Sequence, residues 1–503
     1  MQNIDFYIQK HAGQNPSKTA ITFYDQRITY AQLLTACQAM AANLSQYNLR
    51  SGDVIAILCE RNINLIILIL AALKLGCIYL PIDKLNPRQR MEYILSNSHT
   101  SLVITDEDLQ LHSDLIQVNI KDLMGNANCA PRAIGENETD GFCIMYTSGT
   151  TGKPKGAVLH KAGVFNHLEA KIDCLSMDQH SVVTQNAGYY FVNSIWQIFA
   201  PLVVGAEIAI YDRYIMNDME QLVMKMQEDR ISVFQAVPTF WNRFFDYINQ
   251  KRHRFDNLQC LVSTSEKLNH SLAVKCFQSF RHIKFVNAYG QTECSDDVLH
   301  FVMEGPPAES DIPIGFPIQN TRIYIINDED TICSFYEKGE ICVAGIGLSK
   351  GYLNAPDLTD SAFVKGSDLG LHEPYLYRTG DIGYQKDDSS IVYLGRKDYQ
   401  VKINGFRVEL FEIENVLLQY PELSQAAVIY SESEGIKKLI AFYSGNQEID
   451  SSSLIAFLKS LLPTYMIPRE FIYIEEFPLT AMEKIDRKKL HNTKLSLKHY
   501  TEH

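Results

Sequence analysis

Short apolar runs of strand type alternate with longer helical stretches along most of this 503-residue chain, and that alternation restricts its fold more than any other feature. VIAILCE (54–60), CIYLPI (77–82), SLVIT (101–105) and EIAIY (207–211) are the strand candidates. Such alternation predicts an α/β architecture with parallel sheets. From about Gly339 the texture changes to short β runs with glycine turns: EICVAG, IGYQ and IVYLG. GRKDYQ (395–400), a glycine and charged stretch, interrupts the apolar pattern. Beyond it the spacing predicts a helix from Glu409 to Gln419, strands AAVIY (426–430) and KLIAFYS (438–444), a helix from Ser452 to Leu462 and a strand EFIYIEE (470–476). A chain this long exceeds what one core usually serves. The expectation is a large N-terminal domain of several subdomains over 1–396, then a small α+β domain over 397–503, with the boundary near Asp398.

Hydrophobic content of 46% and charged content of 21% are ordinary for a globular protein, and the net charge of −13 argues against nucleic-acid binding. Eleven scattered cysteines form no C-x-x-C pair, the pattern of buried thiols in a reducing compartment. The start, MQNIDFYIQKHAGQNP, has neither the basic nor the apolar region of a secretory leader, so a cytoplasmic location is expected. Ile63 to Ile82 imitates a membrane span. Its unbroken apolar core is only Leu65 to Leu73, however, before Lys74, Gly76 and Pro81, and the expectation is a buried helix running into a strand.

Tyr146 to Gly156 read YTSGTTGKPKG, packing hydroxyls, glycines and two lysines into eleven residues. Glycine lets backbone N–H groups approach an oxyanion, and hydroxyls and ammonium groups donate to phosphate oxygens. The spacing is not that of a P-loop, because only Thr150 and Thr151 separate Gly149 from Gly152-Lys153. Far away in sequence, Asn287-Ala288-Tyr289-Gly290-Gln291-Thr292-Glu293 combines a ring able to stack on a base with a carboxylate able to bind a metal. Tyr377-Arg378-Thr379-Gly380-Asp381 offers a carboxylate suited to ribose hydroxyls, and Gly395-Arg396-Lys397-Asp398 an arginine for phosphate. Singly, each has a mundane reading as a strand-end tyrosine, a turn aspartate or a surface arginine.

Together and in this order they resemble the adenylate-forming superfamily of acyl-CoA synthetases, luciferases and peptide-synthetase adenylation domains. The resemblance runs through LGCIYLPID (75–83), the loop at 146–156, NAYGQTE (287–293), GEICVAGIGLSKGYL (339–353), YRTGD (377–381), GRKDYQVKINGFRVELFEIE (395–414), LPTYMIP (462–468) and MEKIDR (482–487). The wording looks most like amino-acid adenylation domains and stand-alone D-alanine–carrier-protein ligases. What the resemblance implies is a mobile C-terminal lid hinged near Asp398 and a two-step reaction with ATP and Mg²⁺. A carboxylate attacks the α-phosphate, giving an acyl-adenylate and pyrophosphate, and a phosphopantetheine thiol then displaces AMP.

Carried over residue by residue, Lys484 is the lysine that bridges the substrate carboxylate and ATP, although Met482 and Glu483 replace the usual Asn-Gly before it. Glu293 would hold Mg²⁺, Asp381 the ribose, Tyr289 the adenine face, and Asn287 its edge, with Ala288 and Thr292 beside them. Arg396 would contact ribose or phosphate, and Thr147, Ser148, Gly149, Thr150, Thr151 and Lys155 would grip the triphosphate. Gln291 stands where peptide-synthetase domains commonly have proline.

The acyl pocket implied by the resemblance comprises Val192, Asn193, Trp196, Gln235, Val262, Thr264, Ala288, Asp296 and Asp297. Enzymes for α-amino acids normally carry an aspartate at the position of Val192, to pair with the substrate ammonium, and a buried ammonium without a carboxylate is penalised. The expected substrate is therefore an amino acid with its amine elsewhere (β-amino, ω-amino or guanidino), its cation meeting Asp296 or Asp297. The alternatives are ordinary α-amino-acid adenylation, with those two acids facing solvent or capping a helix, and ligation of a small acid to coenzyme A. About twenty residues follow Lys484, so the acceptor is expected to be a carrier protein acting in trans. The basic cluster Lys484, Arg487, Lys488, Lys489, Lys494 and Lys498 would suit an acidic carrier. No membrane or nucleic-acid partner is expected.

Overall fold

Asn62 opens the long apolar stretch as a helix, its side chain accepting a hydrogen bond from the Leu65 amide at 3.1 Å. Nine of the twelve residues of Ile63–Lys74 are buried, which makes it a core helix. At about 1.5 Å per residue it reaches roughly 18 Å, short of a bilayer. The chain then turns into the strand Ile78–Pro81. Among the described residues no helix is long and apolar enough to cross a membrane. The computed structural model describes residues 3–109, 111, 115–125, 140–149, 153–433, 436–479, 485–487 and 489–490.

The chain forms two compact units. One comprises Met1–Lys84, Leu95–Tyr146 and Gly156–Lys397; the other comprises Leu85–Ile94, Thr147–Lys155 and Asp398–His503. In the first, Val54–Leu58 lies between Ile78–Pro81 and Leu102–Thr105, parallel to both, within a six-stranded sheet. A nine-stranded sheet runs parallel from Lys284–Gln291 through Cys260–Ser263, Val233–Ala236, Val182–Gln185 and Glu207–Ile210 to Thr19–Phe23. Antiparallel strands close both of its edges, Asp296–Met303 with Phe316–Pro317 at one and Gln26–Thr29 at the other. A five-stranded antiparallel sheet centres on Gly339–Gly345 and Tyr375–Gln385. The β texture expected from Gly339 thus starts one strand earlier, at Thr321–Ile326, where an acidic turn separates it from its neighbour.

Two elements of the first unit matter most for the site. The helix Lys161–Leu175 buries Val164, His167, Leu168, Lys171 and Leu175, a stripe at helical spacing that includes a histidine and a lysine. The helix Ser194–Val204 is buried on nearly every side, which its apolar sequence SIWQIFAPLVV permits.

In the second unit, Leu423–Ser433 and Ile436–Gly445 form an antiparallel pair, and Glu470–Tyr473 joins the latter in parallel. Ile413 and Leu417 of the helix Leu410–Leu417 and Leu454 and Leu458 of Ser451–Leu461 share one core with Val428 and Ala441. The protein is therefore a mixed α/β molecule with parallel sheets, a large N-terminal part and a small C-terminal one.

The ten described cysteines are all free. Burial pushes the thiols of Cys77, Cys260 and Cys342 up to about 12 and raises those of Cys37, Cys59, Cys143 and Cys276 beyond that. Cys174 and Cys333, less enclosed, are shifted in the same direction by the same cause.

Candidate functional site

The pairing of Lys284–Gln291 with Asp296–Met303 slips between Tyr289 and Gly290. A Cβ on Gly290 would overlap the carbonyl oxygen of Asp296, so the crossing requires glycine. Ser295 and Asp296 take φ of 62° and 93°, in the left-handed region that side chains rarely adopt. Backbone strain of this kind gathers at functional sites.

Around this crossing the predicted nucleotide residues converge. The Tyr289 hydroxyl donates to Asp381 Oδ2 at 2.6 Å, and Gln291 Nε2 donates to the same oxygen at 3.0 Å. Arg396 Nη1 donates to Asp381 Oδ1 at 2.7 Å and to the Thr379 carbonyl at 3.0 Å. The last pair follows from register, since Asp381 and Arg396 are cross-strand partners. Burial together with the Asp381 charge holds the Tyr289 phenol well above its ordinary value. Asn287 donates to the Pro313 carbonyl at 2.8 Å. Thr292 and Glu293 lie in the short 3₁₀ turn that follows, where fully buried Glu293 accepts from the Tyr352 hydroxyl at 2.7 Å.

The hydroxyl-rich loop belongs to the second unit from Thr147 to Lys155. There Ser148 Oγ donates to the Arg407 carbonyl at 3.0 Å, and the Gly149 amide donates to Glu412 Oε2 at 3.1 Å. Glu412, itself fully buried, also accepts from Arg90 Nη1 at 2.6 Å. A carboxylate thus occupies a loop N–H of the kind expected to meet phosphate. A Cβ on Gly149 would overlap the Lys153 carbonyl, so no other residue fits the turn. Lys153 rests over the Tyr93 ring at 5.5 Å, and Lys155 begins the strand Lys155–His160. Thr147 Oγ1 is buried without a hydrogen-bond partner among the described residues. Thr150, Thr151 and Lys484 lie outside the described residues.

The predicted acyl-pocket residues sit in the first unit. Val192 and Asn193 are half-buried just before the helix Ser194–Val204. Fully buried Trp196 donates from Nε1 to Gln235 Oε1 at 3.2 Å, and Gln235 Nε2 and Asn193 Oδ1 have no hydrogen-bond partner among the described residues. Gln235 pairs in register with Val262, with Thr264 just beyond, and Ala288 pairs with His300.

Asp296 and Asp297 correct the expectation in part. They neither face solvent nor cap a helix, being 5% and 2% exposed at the start of Asp296–Met303. The cation facing Asp297 belongs to the chain itself: Lys171 Nζ is 2.6 Å from Asp297 Oδ2. His167 and His300 approach the same oxygen at 3.6 and 3.7 Å, too far for hydrogen bonds. Burial alone would raise both acids, but the Lys171 ammonium overcomes it at Asp297 and holds that carboxyl well below its usual range. Asp296 is raised well above the usual carboxylate range, by burial first and then by the Asp297 charge. Burial pushes both imidazoles down, His300 to about 4.

Lys171, His167 and His300 lie outside every quoted motif, and Tyr352 lies inside GEICVAGIGLSKGYL without being singled out. The first two carry one legible signal, a polar residue on the apolar stripe of a helix. Glu412 carries none. Arg487 corrects the basic-cluster expectation, because it pairs with Glu414 at 2.5 and 2.8 Å within the second unit; Lys488, Lys494 and Lys498 lie outside the described residues.

Residues 8–353 match the AMP-binding enzyme family, and residues 412–484 match its C-terminal domain. The chain is similar to tyrocidine synthase 2 of Brevibacillus parabrevis, 33% identical over 501 residues that cover 97% of this chain but 13% of that protein. It is also similar to the zwittermicin A synthase ZmaJ of Bacillus cereus, 31% identical over 502 residues, covering 96% of this chain and 93% of that one. The chain spans less than half the length of the first curated relatives it matches. Among solved structures, the fused adenylation–PCP di-domain NpsA-ThdA from Klebsiella oxytoca superposes with a TM-score of 0.83 at 25% identity, covering 94% of this chain and 93% of that one.

Proposed function

The chain belongs to the AMP-binding enzyme family, and from that premise we propose that it adenylates an amine-bearing carboxylic acid and passes the acyl group to a carrier protein. A substrate carboxylate oxygen bonds to the α-phosphorus of ATP as the bond to the pyrophosphate oxygen breaks. The thiol of a phosphopantetheine arm then bonds to the acyl carbon, and AMP leaves.

The observation that carries this reading is the buried knot of Tyr289, Gln291, Asp381 and Arg396, which joins the strand Lys284–Gln291 to the neighbouring strands Tyr375–Gln385 and Ile391–Arg396 some ninety residues on. Asp381 accepts the ribose hydroxyls, exchanging bonds it makes to neighbours, and the Tyr289 ring backs the adenine. Asn287 and Ala288 border the base, and Arg396 balances charge at the ribose and phosphate end. Hydroxyls and amides of 147–151, with Lys155, hold the leaving pyrophosphate. Lys484 bridges the reacting carboxylate and the α-phosphate. A hard cation suits an oxygen donor such as buried Glu293, where Mg²⁺ would neutralise phosphate charge. The small domain from Asp398 acts as the lid.

The substrate is a β-amino, ω-amino or guanidino acid. Val192 has no charge to offer an α-ammonium, while Asn193 Oδ1 and Asp296 Oδ2, both assigned to the acyl pocket, are buried without hydrogen-bond partners among the described residues. ATP–pyrophosphate exchange across α-amino, β-amino, ω-amino, guanidino and unsubstituted acids tests this. Best exchange with apolar α-amino acids, undiminished by Asp296→Ala, would sink the substrate reading. Faster thioester formation on free coenzyme A than on any carrier would replace the acceptor.

A further inference from the structure

Lys171 is placed where it can decide what the acyl pocket takes. Its side chain is wholly buried, with Nζ 2.6 Å from Asp297 Oδ2 and 5.0 Å from the centre of the Trp196 ring. Trp196 and Asp297 are both assigned to the proposed acyl pocket, so the ammonium lies directly against its lining residues; the inference rests on that reading. A desolvated lysine costs several kcal/mol unless paired, and Asp297 is the acid within ion-pair distance of it.

The charges around it can be counted. Asp297 faces the ammonium at 2.6 Å, which favours its ionised form, while burial and the neighbouring Asp297 charge push Asp296 well above the usual carboxylate range. His167 and His300 stay neutral because burial disfavours their cations. Lys171 and Asp297 thus form a pair whose charges cancel. Two acids in tandem suggest room for two substrate charges, but one of them is already spent on Lys171.

We propose that Lys171 is a specificity-determining residue, a resident cation that cancels Asp297 and limits the pocket to acids carrying a single positive charge beyond the reacting carboxylate. Such a substrate meets the Asp296 carboxylate, since Lys171 does not sit on it. A diamino acid brings a second cation that finds Lys171 instead of a free carboxylate, and it is rejected.

The test measures ATP–pyrophosphate exchange with the best-used ammonium-tipped acid, its methyl-tipped isostere and the corresponding diamino acid. It compares the wild type with Lys171→Met, Asp297→Asn and the combined variant. Lys171→Met leaves one extra negative charge, and the kcat/KM ratio of ammonium-tipped over methyl-tipped acid rises about tenfold or more. The diamino acid becomes a substrate of that variant. Asp297→Asn leaves one extra positive charge, and the ratio falls by a similar factor. The combined variant, neutral again, returns to within about threefold of the wild type, a margin well inside one decade. If Lys171→Met is insoluble, the fall in Asp297→Asn and its reversal in the combined variant still carry the test. A ratio that ignores the sign of the wall charge, in a wild type that does adenylate amino acids, overturns the inference alone. A wild type that adenylates no carboxylic acid sinks both the inference and the functional reading beneath it.

Discussion

Asp381→Asn isolates the charge at the centre of the nucleotide constellation while keeping its shape. Asp381 is 1% exposed, and its two oxygens accept from Arg396, Tyr289 and Gln291 at 2.7, 2.6 and 3.0 Å. Asparagine keeps one acceptor. If that oxygen faced Tyr289 and Gln291, the new amide hydrogens would point at Arg396, donor against donor at a 2.7 Å separation. The opposite orientation is better, because the Tyr289 hydroxyl can rotate to accept. Gln291 can also flip to offer Oε1, which has no hydrogen-bond partner now. The geometry survives and the ionic share is lost. Breaking a buried pair costs about 3–5 kcal/mol, and retention of a neutral hydrogen bond to Arg396 brings the expectation to about 2–4 kcal/mol. A chain of two units need not unfold in one step, so the assay is native-state hydrogen exchange of the amides in Lys284–Gln291 and Tyr375–Gln385. In a double-mutant cycle with Arg396→Met, most of the loss should disappear, giving a coupling of about 2 kcal/mol. A coupling below about 0.5 kcal/mol would refute the claim that Asp381 and Arg396 act as one buried charge pair.

Three further outcomes are expected. His300 is held neutral by burial down to about 4, against an ordinary value of 6.5, so the unfolded chain binds more protons between those limits and stability falls as pH drops through that window. The full loss for His300 is about 3 kcal/mol; His300→Gln should flatten the urea midpoint between pH 6.5 and 4, and unchanged slopes would contradict the assignment. Asp297, depressed below 3.8, loses its contribution as pH falls toward and below that value, while His167 adds to His300 within the window and Asp296 opposes it, so the readout is the difference between His300→Gln and the wild type at each pH. Asp296 has the opposite sign: a carboxyl kept protonated by burial penalises the fold increasingly above 3.8, so Asp296→Asn should raise the thermal midpoint at pH 8 and hardly at pH 4. Gly290→Ala should yield little soluble protein or lose nucleotide binding, because its Cβ overlaps the Asp296 carbonyl; a well-folded, fully active variant would show that the strand crossing can relax.

Parts of this architecture are legible in sequence because they answer to local rules. The crossover sheet is written in the alternation of apolar runs, and the helix Ile63–Lys74 in the short reach of its apolar core. The residues proposed to hold nucleotide are legible as a set, since each motif supplies a hydrogen-bonding type that only makes sense beside the others. Their meeting at Asp381 follows from strand register, which no motif states. Asp296 and Asp297 show the limit. Two adjacent acids look like two open charges, and only the fold reveals that Lys171, more than a hundred residues earlier, neutralises one of them. Glu412 is hidden for a related reason: an acid among apolar residues of a helix looks solvated until Arg90 and the Gly149 amide are found around it.

The enclosed thiols bear on the fate of the product. A mixed anhydride of acid and AMP acylates whatever good nucleophile it meets, and a thiolate is a far better one than a thiol. Nine of the ten described cysteines have their ionisation pushed up, burial being the leading cause at each. At neutral pH those nine sulfurs are protonated and stay poor nucleophiles. Under the proposed reaction, sulfur at those nine positions that could divert an activated acyl group is kept inert.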